Sequence, residues 1–428
     1  MTSLPVTIIL STVFGIVAPV HADVITVDDD GPADFDTIQA AIDVATDGDE
    51  ILVAPGDYFA NGDQVVDTLG KAIVVRALQG EGPAVIQGEG IRRGIICRSG
   101  EGGDTIIEGF VINDCYPTWY DWNGNDQPDF WEYFGGGLWC RDGSSPTIRG
   151  CLFSNNSAEY GGAIYNGDEN GAASDPAIID CIFMLNRSAP SSGGVGGAIY
   201  NTGSSPAILQ CLFDQNRAYS GGAILNWDGS DPEIAGCQFL MNSARNGGAI
   251  YNDSSQPRHL ECIFVGNEAS SDGGAVFNAD PGGSQNVPVF ERCDFLANIA
   301  SDEGGAINNF SVSPEITGCV LTENVAGDGS AIHSWNSSTP RLLDTLICSN
   351  VGIQVSGPWS DLGGNTVASN CPGECTGDIN QDGLVDGADL NMLLGDWGQS
   401  DSAADLDGNG LVDGEDLLVI LGAWGPCP

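Results

Sequence analysis

The sequence is poor in positive charge. Only 13 of its 428 residues are lysine or arginine, and Lys71 is the single lysine, whereas 59 residues are aspartate or glutamate. The formal net charge of -46 repels phosphate backbones and anionic lipid headgroups. The composition therefore excludes nucleic-acid binding and electrostatic docking on a membrane. It leaves two alternatives, a solvated acidic surface or carboxylates grouped to hold a hard cation such as Ca²⁺.

Long apolar runs are also scarce. The one such stretch lies between Leu4 and Val20 and ends in Val20-His21-Ala22, which has the form of a cleavage site, although no lysine or arginine precedes it. We therefore predict a signal peptide over residues 1–22 and no membrane-spanning segment. The protein is expected to be secreted or to lie at the cell surface, where disulfides are permitted.

Helical periodicity is missing from most of the chain, and short β-type segments recur instead. One block reads G-G-A-I-Y-N, and its copies begin at Gly135, Gly161, Gly196, Gly221, Gly247, Gly273, Gly304 and Gly329. A second block, P-x-I-x-x-C-x-F-x-x-N, alternates with it and carries Cys151, Cys181, Cys211, Cys237, Cys262, Cys293 and Cys319. Such a repeat predicts a mainly β fold, a right-handed parallel β-helix of about 10–11 coils. The asparagines that end the second block are expected to form a ladder at a turn.

These blocks resemble the polymorphic outer-membrane-protein-type repeats of the pectin-lyase-like superfamily. The opening segment is similar to the N-terminal capping helix of such proteins, since apolar residues recur there at helical spacing, at Phe35, Ile38, Ala41, Ile42 and Ala45. The resemblance implies a β-helix domain over residues 23–370, with an insertion at 116–134. It also implies an alternative function, a lyase or glycoside hydrolase that degrades polysaccharide. The N-T-D and G-H-G motifs of the family's hydrolases are absent, so catalytic residues are unknown.

The cysteine column has three possible roles: disulfides, metal ligands or core packing. Phe110 occupies the same position in an earlier block, which favours a buried apolar column of free thiols. Cys97 and Cys140 stand at the asparagine position of their blocks and are the better disulfide candidates. His259 replaces an isoleucine and is expected to be buried and structural, whereas His333 is expected at the surface.

Aromatic residues are concentrated in two places. The insertion contains Trp119, Tyr120, Trp122, Trp131 and Tyr133, which we interpret as candidate carbohydrate-binding residues, and a possible calcium loop formed by Asp121, Asn123, Asn125, Gln127, Asp129 and Glu132. The repeats contribute the column Trp139, Tyr165, Tyr200, Leu225, Tyr251 and Phe277. Alternation places Ala163 on the same side as Tyr165, so the column is read as core in preference to a binding strip.

The C-terminal segment, residues 371–428, differs in composition from the repeats. From Pro372 onward it has twelve acidic residues and no lysine or arginine, and two twelve-residue loops lie 27 residues apart. Their predicted Ca²⁺ ligands are Asp378, Asn380, Asp382, Leu384, Asp386 and Asp389 in the first, and Asp405, Asp407, Asn409, Leu411, Asp413 and Asp416 in the second. Short apolar helices, Leu390 to Leu394 and Leu417 to Leu421, are expected after the loops.

This duplicated, EF-hand-like module resembles type I dockerins, which implies Ca²⁺ as cofactor and a cohesin-like protein partner. Cys375 and Cys427 bracket the module and are a candidate clasp, whereas Cys371 has no obvious partner. We predict a secreted β-helix scaffold that binds or attaches to polysaccharide or a cell-surface glycan and carries a calcium-dependent docking module.

Overall fold

A computed structural model describes the chain at residues 22–80, 82–117, 133–167, 171–188, 193–283, 286–371, 376–380, 384–400 and 402–426. Within these ranges, three long parallel sheets of 13, 11 and 12 strands form a β-helix of about 12 turns. The expectation of 10–11 coils is slightly low because a last turn follows Gly329 without the repeated blocks. None of the described helices is long and apolar enough to cross a membrane.

The strands of each turn follow the order sheet 1, sheet 3, sheet 2. Sheet 1 contains Val24–Val27, Glu50–Val53, Val74–Ala77, Ile106–Glu108, Thr147–Arg149, Ala177–Ile179, Ala207–Leu209, Glu233–Ala235, Arg258–Leu260, Val289–Glu291, Glu315–Thr317, Arg341–Leu343 and Ser360–Asp361. Sheet 2 contains Gln64–Asp67, Arg93–Cys97, Leu138–Cys140, Ile164–Asn166, Ile199–Thr202, Ile224–Trp227, Ile250–Asp253, Val276–Ala279, Ile307–Phe310, Ile332–Trp335 and Val355–Ser356. Sheet 3 contains Gly56–Tyr58, Ala84–Gln87, Val111–Asn113, Leu152–Ser154, Ile182–Met184, Leu212–Asp214, Gln238–Leu240, Ile263–Val265, Asp294–Leu296, Val320–Thr322, Leu346–Cys348 and Thr366–Val367.

Short strands and three helices complete the described part of the fold. Ser157–Ala158 pairs with Arg187–Ser188, and Ser243–Ala244, Glu268–Ala269 and Ile299–Ala300 form a further sheet. Helix α1, Ile38–Val44, begins after Thr37, whose side chain accepts a hydrogen bond from the Ala40 N–H. Its residues Ile38, Ala41 and Ile42 are buried in the core, as the helical spacing predicts. Helices α2, Gly387–Gly395, and α3, Gly414–Gly422, lie in the C-terminal segment.

Side chains of the same type stack on one another along the core. Phe153, Phe183, Phe213, Phe239, Phe264 and Phe295 stack with ring centroids 4.7–5.0 Å apart. All ten free cysteines among the described residues are buried. Seven of them form the predicted column, from Cys151 to Cys319, which begins one rung earlier at Phe110. The Cys181 thiol donates to the Ile179 carbonyl at 3.3 Å, so a backbone acceptor satisfies it without a metal or a disulfide. The prediction of a buried apolar column is confirmed.

Two disulfide predictions are corrected. Cys97 and Cys140 lie opposite each other on adjacent rungs, as expected, but both remain free thiols. Cys371, which has no obvious partner in the sequence, is joined to Cys348. The sequence hides this pair because Cys348 belongs to a strand of the last complete turn and lies outside the cysteine column. Cys375 and Cys427 are outside the described residues.

His259 is buried, as predicted. It stacks on Phe290 with ring centroids 4.4 Å apart, and its Nδ1 lies 3.2 Å from the Val289 carbonyl oxygen. Burial lowers its pKa, so the imidazole is neutral in the core at neutral pH.

The predicted asparagine ladder is present and continuous. In Asn186, for example, the side-chain amide donates to Phe153 O at 2.9 Å and to Asn216 Oδ1 at 3.0 Å, and its backbone N–H donates to the same Oδ1. The ladder extends from Asn156 to Asn350. The left-handed residue of each turn is the one before the asparagine, such as Leu185 with φ 57°.

A second asparagine ladder runs inside sheet 2 and was not predicted as one. Asn166, Asn201, Asn226, Asn252, Asn278 and Asn309 are fully or almost fully buried, and each of the first five side-chain amides donates to the next at 2.8–2.9 Å. Both ladders fix the register of the rungs, because a slip of one residue would leave a whole row of buried amides without partners.

We predict that Asn242→Ala lowers the stability of the rod. The substitution removes amide bonds to Phe213 O and Asn267 Oδ1 and leaves the Asn216 N–H groups without their acceptor. A cost of about 2 kcal/mol or more is expected for such buried, orphaned groups, measured as a lower thermal unfolding midpoint. Gln238→Ala changes an exposed residue of the same rung and serves as control. Equal midpoints for the two variants would contradict the structural role of the ladder.

Candidate functional site

The outer face of sheet 2 carries a column of side chains that points away from the core. The residue after each inward isoleucine occupies it, and its members in order are Ile96, Trp139, Tyr165, Tyr200, Leu225, Tyr251, Phe277, Asn308 and His333. The first five, Tyr251 and the nearby Phe134 form an apolar cluster that is separate from the main core. We call the column from Ile96 to His333 the floor column.

The prediction that this column is buried is confirmed, since Tyr165 and Tyr200 are only 6% and 3% exposed, but these side chains pack in an outer cluster apart from the main core. Ala163 and Ile164 both lie in the main core, whereas Tyr165 lies in the outer cluster. The strand begins only at Ile164, so strand alternation does not extend back to Ala163. The small recurring alanines therefore carry no information about the side on which the tyrosines lie.

A second column, called the double-glycine column, lies beside the first and is formed by the residue before the first glycine of each block; the second glycine is Ser330 in the last block. Its members are Phe134, Tyr160, Val195, Ser220, Asn246, Asp272, Glu303 and Asp328. The double glycines allow the two columns to lie close together. Gly221 has φ 62°, and a Cβ on Gly222 would lie 2.1 Å from the Gly248 carbonyl oxygen of the next rung. Any larger residue at these positions would force the rungs apart, so the repeated glycines shape the wall of this surface.

The opposite wall is formed by the residue two positions after each floor-column residue, at the end of the sheet 2 strands. Trp227, Asp253, Ala279, Phe310 and Trp335 follow one another on consecutive rungs. Trp227 and Trp335 are about half exposed, at 48% and 47%. We call the surface between this wall and the double-glycine column the sheet 2 groove.

The first half of the sheet 2 groove is aromatic. A cavity of about 480 Å³ lies there and is lined by Phe134, Tyr160, Tyr165, Gly193, Val195, Tyr200, Tyr219, Ser220, Leu225, Trp227, Tyr251 and Asp253. The Tyr165 and Tyr200 rings are stacked, with centroids 5.3 Å apart and planes within 10°. Tyr160 meets Tyr200 edge-on at 5.6 Å. Tyr165 and Tyr200 cover each other's faces and are buried, so Tyr219 and Trp227 are the exposed aromatic rings of the lining.

Two phenols of this half, those of Tyr200 and Tyr251, are held in their uncharged forms. Burial raises the pKa of Tyr251 to about 12 and also raises that of Tyr200, so both phenols are neutral hydrogen-bonding groups at neutral pH. Burial likewise raises the pKa of the Asp253 carboxyl, whose Oδ1 accepts from the Ser254 hydroxyl at 3.0 Å.

The second half of the groove is polar and acidic. Glu303 and Asp328 occupy adjacent rungs of the double-glycine column, and His333 lies in the floor column next to Asn308. His333 Nδ1 is 3.1 Å from Glu303 Oε2, and its Nε2 is 3.7 Å from Asp328 Oδ2. The expectation that His333 lies at the surface is wrong: it is only 8% exposed, because neighbouring rungs cover the imidazole.

The predicted metal ligands of the second C-terminal loop are brought together in part. Carboxylate oxygens of Asp405, Asp407 and Asp416 all lie within 4.8 Å of one another. Asp405 Oδ1 is buried and has no hydrogen-bond partner. Asp413 instead begins helix α3, where it accepts from the Glu415 N–H at 2.9 Å, and the Asn409 amide donates to Asp407. Leu411 is exposed.

The first loop has a matching framework. Asp389 is fully buried and accepts from the N–H groups of Asn380 and Asp386, just as Asp416 accepts from those of Asp407 and Asp413. Asp378, Asn380, Leu384 and Asp386 are described, whereas Asp382 is outside the described residues. Burial raises the pKa of Asp416, but the backbone donors outweigh it and the pKa lies below its usual value. The buried carboxylate is therefore charged at neutral pH.

The two helices of this module confirm the predicted apolar segments but begin earlier, at Gly387 and Gly414. The reason is that Asp386 and Asp413 form capping boxes with Asp389 and Asp416. A small core of Val385, Leu393, Ala404, Val412 and Ile420 holds the helices together. Leu384–Val385 pairs antiparallel with Gly425–Pro426 near the end of the chain.

Most of the predicted insertion site lies outside the described residues. This applies to Trp119, Tyr120, Trp122 and Trp131 and to the loop Asp121, Asn123, Asn125, Gln127, Asp129 and Glu132. Tyr133 is described, and its carbonyl oxygen accepts from the N–H groups of Glu159 and Tyr160 at the start of the groove. Residues 1–21 of the predicted signal peptide are likewise not described.

Sequence reasoning missed two components of the groove. It named the floor column but not Trp227 and Trp335, which stand two residues beyond it, nor the residue before each double glycine. The repeat contains a signal for the second component. That position changes from Tyr160 through Ser220 to Glu303 and Asp328, while the glycine directly after it stays constant.

Comparison with known proteins gives one family match and several similar solved structures. The family described as right-handed beta helix region matches residues 91–281. A search of curated proteins finds no match. Similar solved structures include a rhamnogalacturonan lyase (12% identity, 76% of this chain, 87% of that chain, TM-score 0.43) and a lacto-N-biosidase from Eubacterium ramulus (11%, 81%, 68%, 0.44). A pectate lyase is similar at 13% identity, over 81% of this chain and 79% of that chain, with a TM-score of 0.37. The parallel sheets and the family match together establish a right-handed parallel β-helix.

Proposed function

We propose that the protein binds a polysaccharide chain in the sheet 2 groove and that Ca²⁺ holds its C-terminal module in a defined conformation. The observation that supports the first part best is the aromatic half of the groove, with its cavity of about 480 Å³. Aromatic faces stack on the apolar faces of sugar rings, while phenol hydroxyls and a few carboxyl groups bond sugar hydroxyls.

The periodicity of the groove favours a polymer over a compact ligand. Equivalent positions recur on every rung, at the strand-to-strand spacing of about 4.8 Å. Trp227 and Trp335 stand four rungs apart, which is about 19 Å at that spacing. A linear chain that lies along the helix axis would contact both tryptophans, whereas a single sugar would reach only one.

The C-terminal loops support calcium binding. Ca²⁺ prefers six to eight oxygen ligands, and the Asp405, Asp407 and Asp416 cluster supplies carboxylate oxygens of which Asp405 Oδ1 has no partner. The cation would neutralise carboxylates that otherwise repel one another. Recognition of a cohesin-like protein by this module stays a prediction of the sequence resemblance. Export from the cell is part of the same proposal.

Glycan binding should depend on Trp227. We expect the full chain to bind a polysaccharide of a glycan array without releasing reducing ends or unsaturated uronates. Trp227→Ala should weaken that binding about tenfold, which corresponds to ~1.4 kcal/mol of binding free energy. Trp397→Ala removes a similarly exposed tryptophan from the C-terminal module and should bind as the unaltered chain does. Unchanged affinity in Trp227→Ala, or turnover of the bound polymer, would contradict the proposal.

Calcium binding should depend on Asp405. After removal of divalent ions with a chelator, calorimetric titration of the full chain with Ca²⁺ is expected to show binding, and Asp405→Asn is expected to bind one ion fewer. Ca²⁺ at one hundred times its dissociation constant should stabilise the module by about 2.7 kcal/mol. Glu415→Gln alters an exposed carboxylate of α3 outside the cluster and should keep the stoichiometry. An equal number of ions in Asp405→Asn would rule the site out.

A further inference from the structure

The two halves of the sheet 2 groove share one backbone but differ in chemistry. On the last described rungs of the double-glycine column, Asp272, Glu303 and Asp328 replace the aromatic and small residues of the first half. In the floor column, Asn308 and His333 replace the tyrosines. On the other wall, Phe310 and Trp335 remain aromatic, with ring centroids 4.4 Å apart.

Several polar atoms at this acidic end have no partner. They are Asn308 Oδ1, Asp328 Oδ1 and His333 Nδ1, the last of which makes no aligned hydrogen bond despite its proximity to Glu303. Asn308 is fully buried and His333 is 8% exposed. A buried polar atom without a partner costs about 1–3 kcal/mol. Asn308 Oδ1 and Asp328 Oδ1 can only accept, so a hydrogen-bond donor that reaches them would stabilise this end of the groove.

The charge at this end is also unbalanced. In the part of the chain that the structure describes, neither Glu303 nor Asp328 forms an ion pair with an arginine or lysine, and His333 is the only basic side chain against them. The Ser356 hydroxyl donates to Asp328 Oδ2 at 2.9 Å, and the Asn308 amide donates to Glu303 Oε2 at 3.4 Å. Both carboxylates therefore retain unused acceptor positions.

These features select among the ligands that could enter. A uronate would bring a carboxylate against Glu303 and Asp328 and would be repelled. Ca²⁺ binds oxygen ligands, and an imidazole at the centre of the cluster does not suit it. A protonated amine carries one positive charge and three N–H donors, which match two carboxylates and the unpartnered amide oxygen of Asn308.

We propose that Glu303, Asp328 and Asn308 bind the ammonium group of an amino sugar, and that the polysaccharide of the groove is a polymer containing free amino sugars. The half-exposed Trp335 lies two residues beyond His333 on the same strand, where its ring is available to the sugar that carries the amine. This inference rests on the proposed function, since it specifies the polymer that the groove binds. It assigns the two halves different tasks: the aromatic half holds the chain, and the acidic end recognises its charge.

The test compares two oligosaccharides that differ only in that charge. The full chain is titrated calorimetrically, at about 0.15 M salt, with a glucosamine tetramer and with its fully N-acetylated counterpart. The unaltered chain should bind the amine form at least tenfold more tightly. In the double variant Glu303→Gln, Asp328→Asn, the two tetramers should bind with equal affinity, and the affinity for the acetylated form should stay within twofold of the unaltered chain.

A matched control separates the site from the overall acidity of the protein. The double variant Asp214→Asn, Asp294→Asn also removes two negative charges, but from sheet 3, and should preserve the tenfold preference for the amine form. The proposal is overturned if the preference survives in the Glu303→Gln, Asp328→Asn variant, if the control loses it equally, or if the unaltered chain shows none. Tryptophan-dependent binding of neutral glycans without an amine preference would overturn this inference and leave the proposed function intact, whereas the absence of any glycan binding would overturn both.

Discussion

The structure depends on one constraint: every strand lies directly above an equivalent strand of the neighbouring turn, at the parallel-strand spacing. The two asparagine ladders enforce it. An amide such as Asn186 Nδ2 bonds to Asn216 Oδ1 of the next rung, and a fully buried amide cannot exchange that partner for water. Because the register is fixed in this way, each position of the repeat becomes a straight column, and a column of one residue type becomes either core or surface.

The sheet 2 groove is a consequence of that register. The double glycines bring the backbones of successive rungs so close that a Cβ on Gly222 could not be accommodated. The residue before them and the residue after the inward isoleucine are therefore held as two adjacent rows. With this backbone constant, a change of side chains alone turns an aromatic surface at Tyr165 and Tyr200 into an acidic one at Glu303 and Asp328. One scaffold thus offers two kinds of contact along a single ligand path.

The features that repeat along the chain could be predicted from the sequence. The solenoid, the cysteine column, the first asparagine ladder and the capping helix follow from periodic residues, and the duplicated loops predicted two helices in the C-terminal segment. The sequence was not sufficient for features that occur once. Cys348 and Cys371 are paired across non-repeated positions, and the burial of His333 depends on neighbouring rungs. The outward direction of the tyrosines was also missed, because the strand begins at Ile164 and alternation cannot be extended before that residue.

The central claim is that a glycan lies along the outer face of sheet 2. Hydrogen–deuterium exchange of the full chain, with and without a bound oligosaccharide, tests this most directly, since it reports on each face of the rod separately. The account predicts that the bound oligosaccharide slows backbone amide exchange only in sheet 2, on the rungs from Ile164–Asn166 to Ile332–Trp335, and in the double-glycine turns beside them. Protection that falls on sheet 1 or sheet 3, with sheet 2 unchanged, would contradict it.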